Sequence, residues 1–220
     1  MRKIITTTFI SLDGVMQAPG GPEEDPRNGF KWGGWSFNYW DDLMGNSMNE
    51  FMAQPFDLLL GRRTYEIFAA HWPFIKNDPI ADNFNSTAKF VVSHSNIELP
   101  WSNSKLITGD VPGELKKLRQ TKGNDLWVHG SGNLIQTLLK NELVDKVYVW
   151  IFPVTIGMGI KLFEFGIPAK NWKLTDTKSS STGVIIASYE PAGEIKPGSF
   201  ALEEPTKEEL KRREKLAKES

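Results

Sequence analysis

Two short runs in the sequence have the makings of phosphate chemistry. In Leu60-Gly61-Arg62-Arg63-Thr64-Tyr65-Glu66 an apolar segment ends at a glycine, and two arginines and a threonine open the next segment. A helix start leaves backbone N–H groups unpaired and carries partial positive charge, and guanidinium groups add fixed charge shaped for a phosphate. Val128-His129-Gly130-Ser131-Gly132-Asn133-Leu134-Ile135 repeats the arrangement, with glycines that let a pyrophosphate approach the backbone. Each run alone also has a plainer reading. Arg62 and Arg63 suit any surface beside a strand-to-helix turn, and Gly130-Ser131-Gly132 lacks the third glycine of the Rossmann fingerprint. Together they point to a dinucleotide lying across one edge of a sheet.

The elements that would position these runs can be read from the hydrophobic pattern. Residues 2–10 are β-rich and stop at the turn Asp13-Gly14. Glycines and prolines exclude regular structure over 18–38, yet Phe30, Trp32, Trp35 and Phe37 make that stretch an ordered flap rather than a linker. The spacing predicts helices over 38–52, 64–72, 79–86, 114–120 and 133–140. Strands are expected at 57–60, 89–93, 105–108, 125–129 and 146–153, with two more between 172 and 189 separated by the polar stretch 179–183. Strands alternating with helices, then an all-strand ending, imply an α/β fold: a mainly parallel mixed sheet with an antiparallel edge and helices on both faces. Residues 1–190 read as one domain. Residues 191–220 read as a Pro/Gly linker and a charged C-terminal helix, with Thr206 and Glu209 as its capping box.

Composition narrows the function classes. At 220 residues and 40% hydrophobic content the chain can bury a core without disulfides. A net charge of -1 argues against a surface built to cover nucleic acid or an anionic membrane. The absence of cysteine removes thiol nucleophiles, iron–sulfur clusters and thiolate zinc sites. His71, His94 and His129 are scattered, and no metal site is predicted. Without an apolar run long enough for a signal peptide or membrane span, the chain is expected to be cytoplasmic.

The order of segments resembles the dihydrofolate-reductase-like superfamily: Ser11-Leu12-Asp13-Gly14, then Gly61-Arg62-Arg63-Thr64-Tyr65-Glu66, then the run from Gly130 to Ile135. Val144-Asp145-Lys146-Val147, Phe152-Pro153-Val154-Thr155-Ile156-Gly157-Met158-Gly159 and Leu162-Phe163 are similar to the riboflavin-biosynthesis pyrimidine-reductase branch. The resemblance spans roughly residues 2–190. It implies a three-layer fold, NADPH as cofactor, a small organic substrate of pterin, pyrimidine, carbonyl or imine type, and a homodimer. Lacking the cysteines of a zinc deaminase, the chain is expected to be a stand-alone reductase. The alternative is a non-catalytic nucleotide-binding or dimerisation protein that keeps the fold.

Carried over, the resemblance gives Gly61, Arg62, Arg63 and Thr64 the adenosine-phosphate side of NADPH, with the 2'-phosphate opposite an arginine. Ser93 and Ser95 fall near the adenine ribose, and Gly130, Ser131, Gly132, Asn133 and Leu134 along the pyrophosphate. Residues near Asp13 and Met16 fall near the nicotinamide. Ser131 stands where the pattern has a glycine, and the flap is unusually long. A reductase must also supply a proton, often from a carboxyl in an apolar pocket. Asp41 and Asp42 sit where dihydrofolate reductase keeps its substrate carboxylate, and Asp13 is a third candidate. Helix capping and turn formation are the competing readings of these three aspartates. Trp35 and Trp40 are candidates to stack on a flat substrate, against a core or interface role. Gly157-Met158-Gly159 reads as a tight turn or a dimer contact.

Overall fold

The protein is described by a computed structural model covering residues 1–164 and 166–219; Ser220, the end of the predicted tail, lies outside the described residues. Eight strands form one sheet: β1 (Ile4–Ser11), β2 (Phe56–Gly61), β3 (Lys89–Val92), β4 (Ser104–Ile107), β5 (Asp125–His129), β6 (Lys146–Phe152), β7 (Trp172–Ser179) and β8 (Ile185–Pro191). Their order is β4-β3-β2-β5-β1-β6-β8-β7. All pairs from β4 to β6 are parallel, and β8 and β7 complete the sheet as an antiparallel edge. The central strand β1 shows why the sheet is covered twice. Ile4 and Ile10 belong to one apolar cluster, whereas Ile5 and Phe9 belong to clusters on the other face, as the two-residue period of a strand requires.

Helices α1 (Asp42–Met52), α2 (Arg62–Ala69) and α3 (Pro79–Ser86) cover the Ile5 face. Helices α4 (Val111–Arg119) and α5 (Gly132–Lys140) cover the Ile4 face through Val111, Leu115, Leu134, Ile135 and Leu138. Two helices begin earlier than their periodicity suggests. Gly61 serves as N-cap for α2, so Arg62 and Arg63 fall inside its first turn, and Asp110 caps α4 with Pro112 in a first turn that tolerates proline. Because β2 leads to α2 on one face and its neighbour β5 leads to α5 on the other, the sheet has a topological switch point between them. A crevice opens there at the carboxyl ends of the strands.

The flap over 18–38 is ordered without regular structure, apart from 3-10 turns at Arg27–Gly29 and Phe37–Tyr39. The Gln17 side chain donates to the carbonyls of Asp25 (3.0 Å) and Arg27 (3.1 Å) and accepts from the Ile160 N–H (3.1 Å). Trp35 Nε1 donates to the Gln17 carbonyl (2.8 Å) and Ser36 Oγ to that of Pro19 (2.8 Å). The tail ends in α6 (Lys207–Glu219), capped by Thr206 Oγ1 and with none of its described residues buried. No helix among the described residues is long and apolar enough to cross a membrane.

At the amino end of β3, remote from the crevice, Lys89 is buried with no carboxylate partner among the described residues. Its Nζ donates to the carbonyls of Thr87 (2.8 Å) and Asn85 (3.1 Å) and lies 4.3 Å from the centre of the Trp101 ring. Burial lowers its pKa to about 8 from 10.5, so the folded state opposes the charge. Lys89→Met is therefore expected to raise the melting temperature near neutral pH. The advantage should shrink as pH rises from about 8 towards 10.5, where both folded and unfolded lysine become neutral. Thermal melts across that range check it, and a gain independent of pH would contradict it.

Candidate functional site

A cavity of about 710 Å³ occupies the crevice. Its two main walls are the starts of α2 and α5, and one side chain joins them: Ser131 Oγ accepts from the Gly61 N–H (3.0 Å) and donates to Thr64 Oγ1 (2.8 Å). The chain reaches that position because Gly130 (φ 57°) and Ser131 (φ 63°) both adopt the left-handed conformation, turning β5 sharply into α5. The starts of α2 and α5 differ from those of the other helices. Asp41, Asp78, Asp110 and Thr206 cap α1, α3, α4 and α6 with side-chain oxygens. Neither α2 nor α5 has a side-chain cap or an acidic residue in its first turn, so unpaired N–H donors open onto the cavity.

All twelve residues that the resemblance assigns to the cofactor line this cavity. Gly61, Arg62, Arg63 and Thr64 form the α2 wall, and Gly130, Ser131, Gly132, Asn133 and Leu134 the α5 wall. Ser93 and Ser95 enter beyond β3, and Met16 enters at the flap. Arg62 pairs with Glu66 at 2.9 Å, whereas Arg63 has no acidic partner among the described residues. A Cβ added to Gly130 would meet nothing within 4 Å, so bare backbone faces open space there. Thr8 Oγ1, on a residue of the cavity wall, is buried without a hydrogen-bond partner among the described residues. Donors, fixed cations and bare backbone together fit an elongated anion such as a dinucleotide.

The predicted proton donors lie elsewhere. Asp13 accepts from Ser11 Oγ (2.7 Å) and from the N–H groups of Ile156 (3.0 Å) and Gly157 (2.8 Å), clamping the turn that contains Gly157-Met158-Gly159. The Ser11 hydroxyl and those N–H groups lower its pKa to about 2, which keeps it ionised near neutral pH with no proton to donate. Asp41 caps α1 by accepting from Met44 N–H (3.0 Å) and also accepts from Ser181 N–H (2.8 Å) and Oγ (2.7 Å); these donors, Met44 first, lower its pKa. Asp42 is exposed in the first turn of α1. None of the three lines the cavity, so their positions do not support a role on the substrate.

The tryptophans are absent from the cavity wall as well. Trp35 meets Phe152 edge-on at 5.2 Å, and Trp40 stacks on Trp150 at 6.0 Å. Both are packing residues because β6 presents Trp150 and Phe152 to α1 and the flap. The flap reaches the cavity through Glu24, Asp25 and Arg27, next to Gln17 at its start, and Phe9 and Met48 add apolar surface. Sequence reasoning missed these residues, since the flap has no periodicity to mark an inward face.

His129 lines the cavity floor at the end of β5, its ring near Phe51, Phe56, Phe68, Phe84 and Trp127. Its Nε2 is buried without a hydrogen-bond partner among the described residues, and burial lowers its pKa to about 4 from 6.5. The folded state therefore binds fewer protons than the unfolded chain between those values, and stability falls as pH drops from 6.5 to about 4. His129→Phe is expected to flatten that part of the stability profile in chemical denaturation. An unchanged slope would contradict the buried neutral imidazole.

Known proteins with similar sequences and structures agree with this architecture. The uncharacterized Bacillus subtilis protein YyaP is 27% identical over 198 residues, covering 86% of this chain and 94% of YyaP. A candidate riboflavin biosynthesis protein of Shewanella sp. PV-4 superposes with a TM-score of 0.63 at 21% identity, covering 86% of this chain and 99% of that one. Enterococcus faecalis dihydrofolate reductase, solved with NADP(H) and RAB-propyl, superposes with a TM-score of 0.54 at 15% identity, covering 86% and 96%. These likenesses show a dihydrofolate-reductase-like three-layer fold. The RibD C-terminal domain family matches residues 2–186, which takes in the cavity walls and all but the last few residues of the sheet, and this chain belongs to that family.

Proposed function

We propose that the protein is an NADPH-dependent reductase that transfers hydride to a small organic substrate with a C=O or C=N bond. The observation that carries this reading is the pair of uncapped helix starts, tied by Ser131 and flanked by Arg62 and Arg63, on one cavity at the switch point of the sheet. In this reading the α5 start and Gly130 hold the pyrophosphate. Arg62, Arg63, Ser93 and Ser95 hold the adenosine end and its 2'-phosphate, and Met16 packs near the nicotinamide. Bound NADPH supplies the hydride. The protein's part is to fix both reactants, exclude water and manage the proton. Phe9, Met48 and Ile160 give the substrate end apolar walls, and flap residues line the cavity as well.

Loss of reduced-nicotinamide absorbance, followed with a panel of pterin, pyrimidine, carbonyl and imine acceptors, tests the reading. Turnover of at least one acceptor with NADPH is expected. Tight NADPH binding with no turnover across the panel would favour a non-catalytic nucleotide-binding protein.

A further inference from the structure

Hydride addition to a C=O or C=N carbon pushes the π electrons onto the heteroatom, which then needs a proton. Asp13, Asp41 and Asp42 lie off the cavity wall, so any side chain that supplies it must be sought among the groups on the cavity itself. Among the described residues three carboxylates line the cavity, all different in their commitments: Glu24, Asp25 and Asp110. Asp110 caps α4 by accepting from Gly113 N–H (3.2 Å). Asp25 is held by the Arg27 guanidinium through both oxygens, with Arg27 Nε at 2.6 Å from Oδ1. Neither is free to hold and release a proton at the substrate.

Glu24 differs from both. Its Oε2 accepts from the N–H groups of Gly20 (2.6 Å) and Gly21 (3.2 Å), which fixes the carboxyl against the flap backbone. Oε1 makes no hydrogen bond among the described residues, and no arginine or lysine pairs with Glu24. We propose that Glu24 is the general acid of the reaction, its Oε1–H delivering the proton to the substrate heteroatom as the hydride reaches carbon. The substrate gains a C–H and an O–H or N–H bond, the reduced nicotinamide is oxidised, and the carboxylate regains its proton from water. The assignment rests on the reductase reading.

The electrostatic setting favours the acid form. Burial raises the Glu24 pKa, the two glycine N–H groups oppose that, and the neighbouring Asp25 charge raises it further. The other charged or titratable groups on the cavity are Arg27 on the flap, Arg62 and Arg63 on α2, His94 after β3 and His129 on β5. Arg27 is paired to Asp25 and Arg62 to Glu66, and His129 is kept neutral by burial. A dinucleotide phosphate entering the cavity adds negative charge, which strengthens the upward shift.

The decisive experiment is a carboxyl 13C NMR titration of the full chain labelled in its glutamate side chains, with the Glu24 resonance identified by its loss in Glu24→Gln. Gln can still accept from Gly20 and Gly21, so the variant keeps the flap contact and loses only the proton. A Glu24 titration above the usual glutamate range that moves higher on adding NADPH, whose reduced ring is uncharged, is expected. Titration in the ordinary range, or one unmoved by NADPH that does bind, overturns the assignment. In turnover with any acceptor from the panel, Glu24→Gln should retain NADPH affinity and lose ~10²-fold or more in kcat. The wild-type rate should fall as pH rises through the Glu24 pKa, a limb absent from the variant. Absence of NADPH binding by the wild type would overturn the reductase reading instead, while the titration still decides the state of Glu24.

Discussion

Reversing the charge at Arg62 and Arg63 together, by glutamate, is expected to weaken NADPH binding by ~10²-fold or more and NADH binding by clearly less. A hydrogen bond to a charged group contributes about 1.5–3 kcal/mol, and each 1.4 kcal/mol is tenfold in affinity. Two such contacts, replaced by repulsion from new carboxylates, account for the effect. The difference between cofactors comes from the 2'-phosphate, which NADH lacks. The single variants separate the two arginines. Arg62 already pairs with Glu66 across one helical turn, so Arg62→Glu also places like charges four residues apart. That costs the helix about 0.2–0.5 kcal/mol and should barely move the melting temperature. Arg63 has no acidic partner among the described residues, so its reversal should act on the ligand alone. Equal losses for NADPH and NADH in fluorescence titrations would remove the 2'-phosphate from this wall.

Gly130→Asn is expected to lower the affinity for NADPH and NADH alike, by ~10²-fold or more, while leaving the fold nearly intact. Gly130 has φ +57°, a conformation asparagine tolerates better than other side chains, so backbone strain stays within about 1 kcal/mol. Its missing Cβ faces open space on the cavity wall, where the pyrophosphate would approach the first N–H groups of α5. A side chain there fills the space that the ligand needs. The loss of each charge-assisted contact converts at the same tenfold per 1.4 kcal/mol. Calorimetric titration alongside a thermal melt checks it. Unchanged affinity with an unchanged melt would place the dinucleotide away from α5.

The sheet and its flanking helices were legible because their signals are local. A run of β-branched residues marks β1, the unbroken apolar run marks β2, and helical spacing over Leu134, Ile135 and Leu138 marks the face of α5 that meets the core. The two phosphate-ready runs were legible for the same reason, since a strand end, glycines and a helix start are contiguous in sequence. Long-range contacts were not. Asp13 reaches Ile156 and Gly157 across more than a hundred residues, and Asp41 reaches Ser181, so neither commitment leaves a mark in its own neighbourhood. Trp35 and Trp40 carry the composition of a stacking platform but meet Phe152 and Trp150 of β6, partners only the sheet brings near. Glu24 sits in the acidic stretch Glu23-Glu24-Asp25, and only the fold of the flap turns it towards the cavity.

The claim that one cavity at the β2–β5 switch point takes NADPH is tested most directly by thermal shift and fluorescence titration with NADPH, NADH and FMN side by side. A tight ligand at a hundredfold excess over its Kd stabilises the native state by about 2.7 kcal/mol. Stabilisation by NADPH exceeding that by NADH and FMN, and lost in Gly130→Asn, is the predicted result. No response to any of the three, or a response that survives Gly130→Asn unchanged, would contradict it.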